Sequence, residues 1–506
     1  MSARAPTAAR VGHDILIQGG NAIDAVVAAA LCAAVVEPAS CGIGGYGAHL
    51  TLALADGHVS CIDANSIAPQ AARSDMFRVD ATGQVPGQSN YYGWLAAGVP
   101  GTLAGLQLAI DRYGTKKFAE VVAPAIGLAR EGFDVGGQFA DSLLKAAEHL
   151  GTDPASRQLY FKNGQPLELG DRYRNPGLAA MLETLAERGC VDSFYHGDIA
   201  GDIASEFQKR GGVVTQNDFA AYRAREVKPV EMQWNGYSIS TAPLTAGGLS
   251  TLQALSILKA LDREQLANRH EQHHAVLESL RLAWHDRFQS FGDPDYVDVP
   301  VAALLTDDSI GKLADRVLRA VKDRAPIELQ MDSYEQIGTV HISAADSAGN
   351  LVALTLSHGG GFGACVTVDG MGLTLGHGVS RFDPRPGYAN SIEAHKRPLN
   401  NMTPTVVLCD GRPVLALGGR GGRRIPNALA SILLGFVAED RSMAESLDIP
   451  RMHTQGSMKL TLDNSWSPEE TAYFGRLGYE ADRGDVAYIS AVSYDPTSGS
   501  VQAAHR

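Results

Sequence analysis

The sequence predicts an α+β fold, a four-layer αββα sandwich with antiparallel sheets inside and helices outside. Three observations predict it. Helical patterns come in blocks rather than alternating singly with strands. Short strands come in pairs joined by tight turns, as at 48–55 with 58–63 and at 406–410 with 413–418. The strongest hairpin, 339–356, has an apolar return strand at 351–356 and is placed inside. No linker separates domains within the 506 residues, so one co-folded unit is expected.

The first helical block opens at 7–18 and stops at Gly19-Gly20. Asn21 is placed to cap 22–36, which is apolar on nearly all sides and therefore buried. A glycine-rich run, 42–47, follows this helix and precedes a strand. A phosphate loop needs the opposite order. Further helices are expected at 102–111, 117–132, 175–188, 198–209 and 216–222, with a short strand at 213–215 before the last. The second block covers 247–261, 271–291 and 307–321, and 324–336 reads as a polar loop. Glycines at 418–422 lead into a helix over 427–438, and 488–494 pairs with 501–504.

Composition narrows the function. A net charge of −13 argues against a nucleic-acid or anionic-membrane surface. The apolar run 26–36 is far too short to span a bilayer. Six cysteines without a Cys-x-x-Cys make no disulfide framework, and no export signal is apparent, so a cytoplasmic address is expected. His270-Glu271-Gln272-His273-His274 fits the zinc-peptidase pattern, but no third ligand follows at a convincing position. Neither metal nor cofactor is expected.

The hairpin carries the chemistry. Residues 339–344 alternate and are β-branched-rich, 346–350 is a turn cluster, and 351–356 is an apolar return strand. Thr339 opens it. A threonine hydroxyl needs a base beside it, and an N-terminal threonine supplies its own α-amine. That reading demands a cut between Gly338 and Thr339, and glycine before the cut tolerates a strained backbone.

Thr339, His341, Asp346, Gly349, Asn350, Thr355, Phe362 and Gly363 together resemble the nucleophile hairpin of the γ-glutamyltranspeptidase family. The resemblance extends to the Gly-Gly-Asn-Ala start at 19–22, the loop at 36–45, and Lys396-Arg397-Pro398-Leu399. It implies an N-terminal-nucleophile hydrolase, made as a precursor that cuts itself into 1–338 and 339–506. The two fragments would stay together as a heterodimer. By the same resemblance Ser357 orients the nucleophile, while Gly421 and Gly422 form the oxyanion hole. Relatives also carry a short strand ahead of Ala5, so an upstream piece is expected.

The recognition positions depart from the family. Asn65 stands where relatives hold the substrate α-carboxylate with an arginine. Gly359, Gly378 and Arg381 replace the Asn, Gln and Asp that hold the α-amine. Asn400-Asn401 replaces a serine pair, and the oxyanion turn gains Arg420 and Arg423. An arginine in place of an acid repels an ammonium and suits a carboxylate. The expected substrate is a small anionic amide, oxamate-like or glutaryl-type, bound by Arg381, Arg420, Arg423, Asn65, Asn400 and Asn401. The alternatives are a γ-glutamyl hydrolase or transpeptidase acting on glutathione-like donors, and an uncleaved, non-catalytic relative.

Overall fold

Two six-stranded antiparallel sheets form the centre of the computed structural model, which describes residues 1–261, 265–330 and 339–506. Gly338 and the end of the 324–336 loop lie outside the described residues. The first sheet runs Ser2–Ala3, Val340–Ala345, Leu351–Ser357, Gly47–Ala53, Val59–Asn65 and Arg225–Val227. The second runs Val501–His505, Tyr488–Tyr494, Arg412–Arg420, Thr405–Cys409, Tyr237–Thr241 and Val230–Trp234. Each sheet therefore combines strands from both sides of position 338. Ser2 and Ala3 supply a short leading strand, paired with Ser343 and Ile342.

Small apolar side chains fill the seam between the sheets: Ala53, Ala345, Ala353, Val406, Ala416 and Val492. Small residues let the sheets approach closely. Gly418 shows this most sharply, because a Cβ there would lie 2.3 Å from the His341 ring. The outer faces bury larger residues against helices.

The helix Ala22–Val36 is buried at every residue but its last, against the first sheet. Burying each Val or Leu in such a place stabilises by about 1.5–3 kcal/mol. Its start is fixed twice. The Asn21 side chain accepts from the Ile23 and Asp24 amides, and the Asp346 carboxylate accepts from the Ala22 amide at 3.0 Å. Asp346 also accepts from the Ala348 and Asn350 amides, so one carboxylate closes the hairpin turn and sits at a positive helix end.

The helices Gly248–Ala260, Arg269–Ser290, Asp307–Asp323 and Arg424–Ala438 cover the second sheet. Two expectations change. Residues 213–215 are not a strand: Thr215 caps the helix Gln216–Ala221 through Asp218 instead. The stretch 137–160, unassigned from sequence, holds the helices Gly137–Leu150 and Pro154–Tyr160.

Candidate functional site

Hairpin register brings the two hydroxyls together. Val340 pairs with Leu356, so the preceding Thr339 faces Ser357 across the strand ends. The Thr339 hydroxyl donates to Ser357 Oγ at 3.4 Å, and both residues are buried. Ser357 Oγ also accepts from the Gly359 amide at 2.8 Å. The Tyr46 phenol lies beside Ser357. Burial pushes that phenol up, against the pull of the nearby Arg381, so it stays neutral at neutral pH.

His341 sits within the first strand of the hairpin, opposite Thr355. One ring nitrogen meets Thr355 Oγ1 at 2.8 Å and the other meets Ser343 Oγ at 2.9 Å. Burial pushes the imidazole down to about 3, so it is a neutral part of the frame.

The strand Arg412–Arg420 ends at Gly421 and Gly422, with φ of 131° and 60°. Both values favour glycine. The turn delivers the chain into Arg424–Ala438, placing both glycine amides at the positive end of that helix. Such amides suit a developing oxyanion.

One cleft collects Arg287, Arg381, Arg385, Arg423, Asp383 and Asn401. Four arginines meet one aspartate there, and that aspartate is held by Arg385 at 2.7 Å. Every one of these arginines lies over an aromatic ring: Arg287 over Trp284, Arg381 over Tyr46, Arg385 over Tyr388 and Arg423 over Phe288, at 4.1–5.8 Å. Their N–H groups are partly engaged within the protein: Arg287 donates to the Ala246 and Asn400 carbonyls, Arg423 to Gln455 Oε1 and Arg385 to Asp383.

A chain of contacts joins cleft and nucleophile. Arg381 Nη2 donates to the Gly359 carbonyl, the Gly359 amide donates to Ser357 Oγ, and Thr339 donates to the same oxygen.

The six expected substrate contacts divide. Arg381, Arg423 and Asn401 line the cleft. Asn65 is fully buried, and its amide donates to Thr245 Oγ1 and the Pro398 carbonyl. Asn400 donates to His49 at 2.9 Å and accepts from the Met402 amide. Arg420 turns toward Glu37 at 3.8 Å. The histidine motif also has other partners: His274 meets the Tyr479 hydroxyl at 3.2 Å, and His270 stacks on Tyr473.

Tyr46, His377 and Arg287 escaped the sequence reading. Tyr46 had a signal, an aromatic residue set among glycines just before a strand.

Residues 8–505 match the family described as gamma-glutamyltranspeptidase. The chain is 35% identical over 479 residues to the glutathione hydrolase proenzyme of Escherichia coli, covering 92% of this chain and 82% of the relative. It is 35% identical over 462 residues to an acylase ACY 1 proenzyme of Pseudomonas, covering 90% and 82%. Among solved structures, the cephalosporin acylase of Bacillus halodurans superposes with a TM-score of 0.87 at 24% identity, over 99% of this chain and 95% of that one. Helicobacter pylori gamma-glutamyltranspeptidase matches 65% of this chain and 92% of its own, with a TM-score of 0.59 and 33% identity.

Proposed function

From the premise that the chain belongs to the γ-glutamyltranspeptidase family, we propose that it is a self-cleaving amidohydrolase for a small amide with a carboxylate on its acyl group. The observation that carries this reading is the arginine-lined cleft, joined to Thr339 through Gly359 and Ser357.

In this reading the precursor cuts at Gly338–Thr339, releasing the Thr339 α-amine. That amine has an ordinary pKa of about 7.7–8.0, so part of it is free base near neutral pH. It takes the Thr339 hydroxyl proton as Oγ attacks the amide carbonyl, while Ser357 orients the oxygen. The Gly421 and Gly422 amides hold the oxyanion. The amine leaving group departs with the proton, and water then cleaves the acyl ester and restores the hydroxyl. Arg381 and Arg423 receive the acyl carboxylate, with Asn401 as a neutral partner. Asn65, Asn400 and Arg420 act on the frame. A γ-glutamyl donor would bring an ammonium toward a cleft carrying three more arginines than aspartates, four against one.

The test compares glutaryl anilide, oxamate and γ-glutamyl anilide on enzyme whose intact mass shows two fragments. The expected result is a kcat/KM at least about tenfold higher for one of the first two. A clear preference for the γ-glutamyl anilide overturns the proposal and favours the glutathione-hydrolase reading, which the 35% identity to such an enzyme also supports.

A further inference from the structure

Arg381 is set by more than its own packing. Its Nη2 donates to two acceptors, the Gly359 carbonyl and His377 Nε2, the latter at 3.2 Å. The other His377 nitrogen, Nδ1, meets the Tyr91 carbonyl at 3.1 Å. The ring also faces the Gly359 carbonyl, but a guanidinium only donates, so with Nδ1 protonated toward Tyr91 the Nε2 lone pair is presented to Arg381. The histidine therefore relays a fixed direction from the Tyr91 backbone to the guanidinium.

The surroundings enforce that geometry. His377 is 3% exposed, and its ring stands edge-on to Tyr91. It immediately precedes the helical turn Gly378–Arg381, which brings residues 377 and 381 onto one side. Gly359 has φ of 100°, and a Cβ there would fall 2.2 Å from the His377 ring and 2.9 Å from Arg381 Nη2. The Arg381 guanidinium also lies 5.5 Å over Tyr46, which sits beside Ser357. Three restraints thus act on one group: a lone pair, a carbonyl and an aromatic face.

We propose that His377 is a positioning residue for specificity. As a neutral acceptor it holds Arg381 so that the guanidinium meets an acyl carboxylate, with the bare backbone of Gly359 leaving room for both side chains. This rests on the reading of the cleft as the acyl pocket. It adds the group that aims the cation. A guanidinium with one anchor removed turns more freely and loses part of its preorganised hydrogen bonding.

The experiment uses processed wild type, His377→Ala and His377→Gln. Each is assayed with the wild type's preferred anionic amide, glutaryl anilide or oxamate, and with its neutral twin, in which a carboxamide replaces the carboxylate. In His377→Ala, KM for the anionic amide rises about tenfold and kcat stays within about threefold. The neutral twin changes less than about twofold. His377→Gln, whose amide can both donate and accept, recovers most of the lost KM. Equal losses on both substrates, no change on either, or failure of both variants to mature assigns His377 to the frame and overturns the proposal. A wild type that ignores the carboxylate overturns the acyl-pocket reading itself, and this inference falls with it.

Discussion

The hydroxyl end of the site rests on regular strand pairing, whereas the arginine end rests on turns and loops. Thr339 and Ser357 face each other because Val340 pairs with Leu356, and a one-residue slip of either strand would put the two hydroxyls on opposite faces of the sheet. Arg381 closes a short helical turn, Arg423 stands at a helix start, and Asn401 lies in a loop. Side chains at such places exchange without disturbing either sheet. The comparison teaches that strand register fixes one end while turn geometry fixes the other, so the two ends should fail in different ways.

The largest effect expected is at the hydroxyl end. Thr339→Ala should leave one uncut chain by intact mass and lower turnover on the order of a thousandfold or more. A two-fragment Thr339→Ala would break the comparison by moving the nucleophile elsewhere. Next, Arg381→Gln should mature normally and lose about a hundredfold in kcat/KM for the anionic amide, with its carboxamide twin changed less than about threefold. Equal losses on both amides would merge the two ends into one. Gly359→Ala, which forces a Cβ against His377, should raise KM about tenfold and lower the melting temperature by several degrees.

Acid should act on both ends together. Burial pushes His341 and His377 down to about 3, with Arg381 adding to the effect on His377. The unfolded chain takes protons below about pH 6.5 while the folded state resists them until near pH 3. Stability is therefore full above 6.5 and falls as pH drops toward 3, by on the order of 1 kcal/mol per unit for each such group. Urea midpoints measured from pH 7 to 4 should decline, and a flat profile would contradict the neutral assignment. The smallest effect is expected at Arg420→Ala. Its partner is Glu37, so turnover should stay within about twofold and stability should drop by no more than about 1 kcal/mol.

The hairpin was legible because strand chemistry is local: alternation, a turn cluster and an apolar return strand lie within one short stretch. Ala22–Val36 was legible for the same reason, through its cap and continuous apolarity. The arginines were harder. Arg420 and Arg423 are three residues apart, yet one meets Glu37 and the other lines the cleft, because the φ values of Gly421 and Gly422 decide where each points. Asn65 occupies the position the resemblance marked for substrate, but the packing of Thr245 and Pro398 claims its amide. His377 gave no local sign, since its partners are Tyr91 and Arg381, one of them far along the chain. The helix Gly137–Leu150 was missed because its start, Gly136 followed by Gly137, reads as a loop rather than as a helix start.

The mixed parentage of the sheets bears on how long an active molecule lasts. Leu351–Ser357 pairs along its whole length with Gly47–Ala53, and Tyr237–Thr241 does so with Thr405–Cys409. A chain severed at 338 keeps every one of these ladders, so cutting leaves the folded object intact. Refolding is another matter. An uncut chain searches for its partners within itself, but severed halves must first meet, and neither carries a complete sheet. Dilution then works against recovery, and a heated sample would lose activity for good at concentrations where the precursor still returns. For a chain so cut, lifetime would be a question of how slowly it opens rather than how well it refolds.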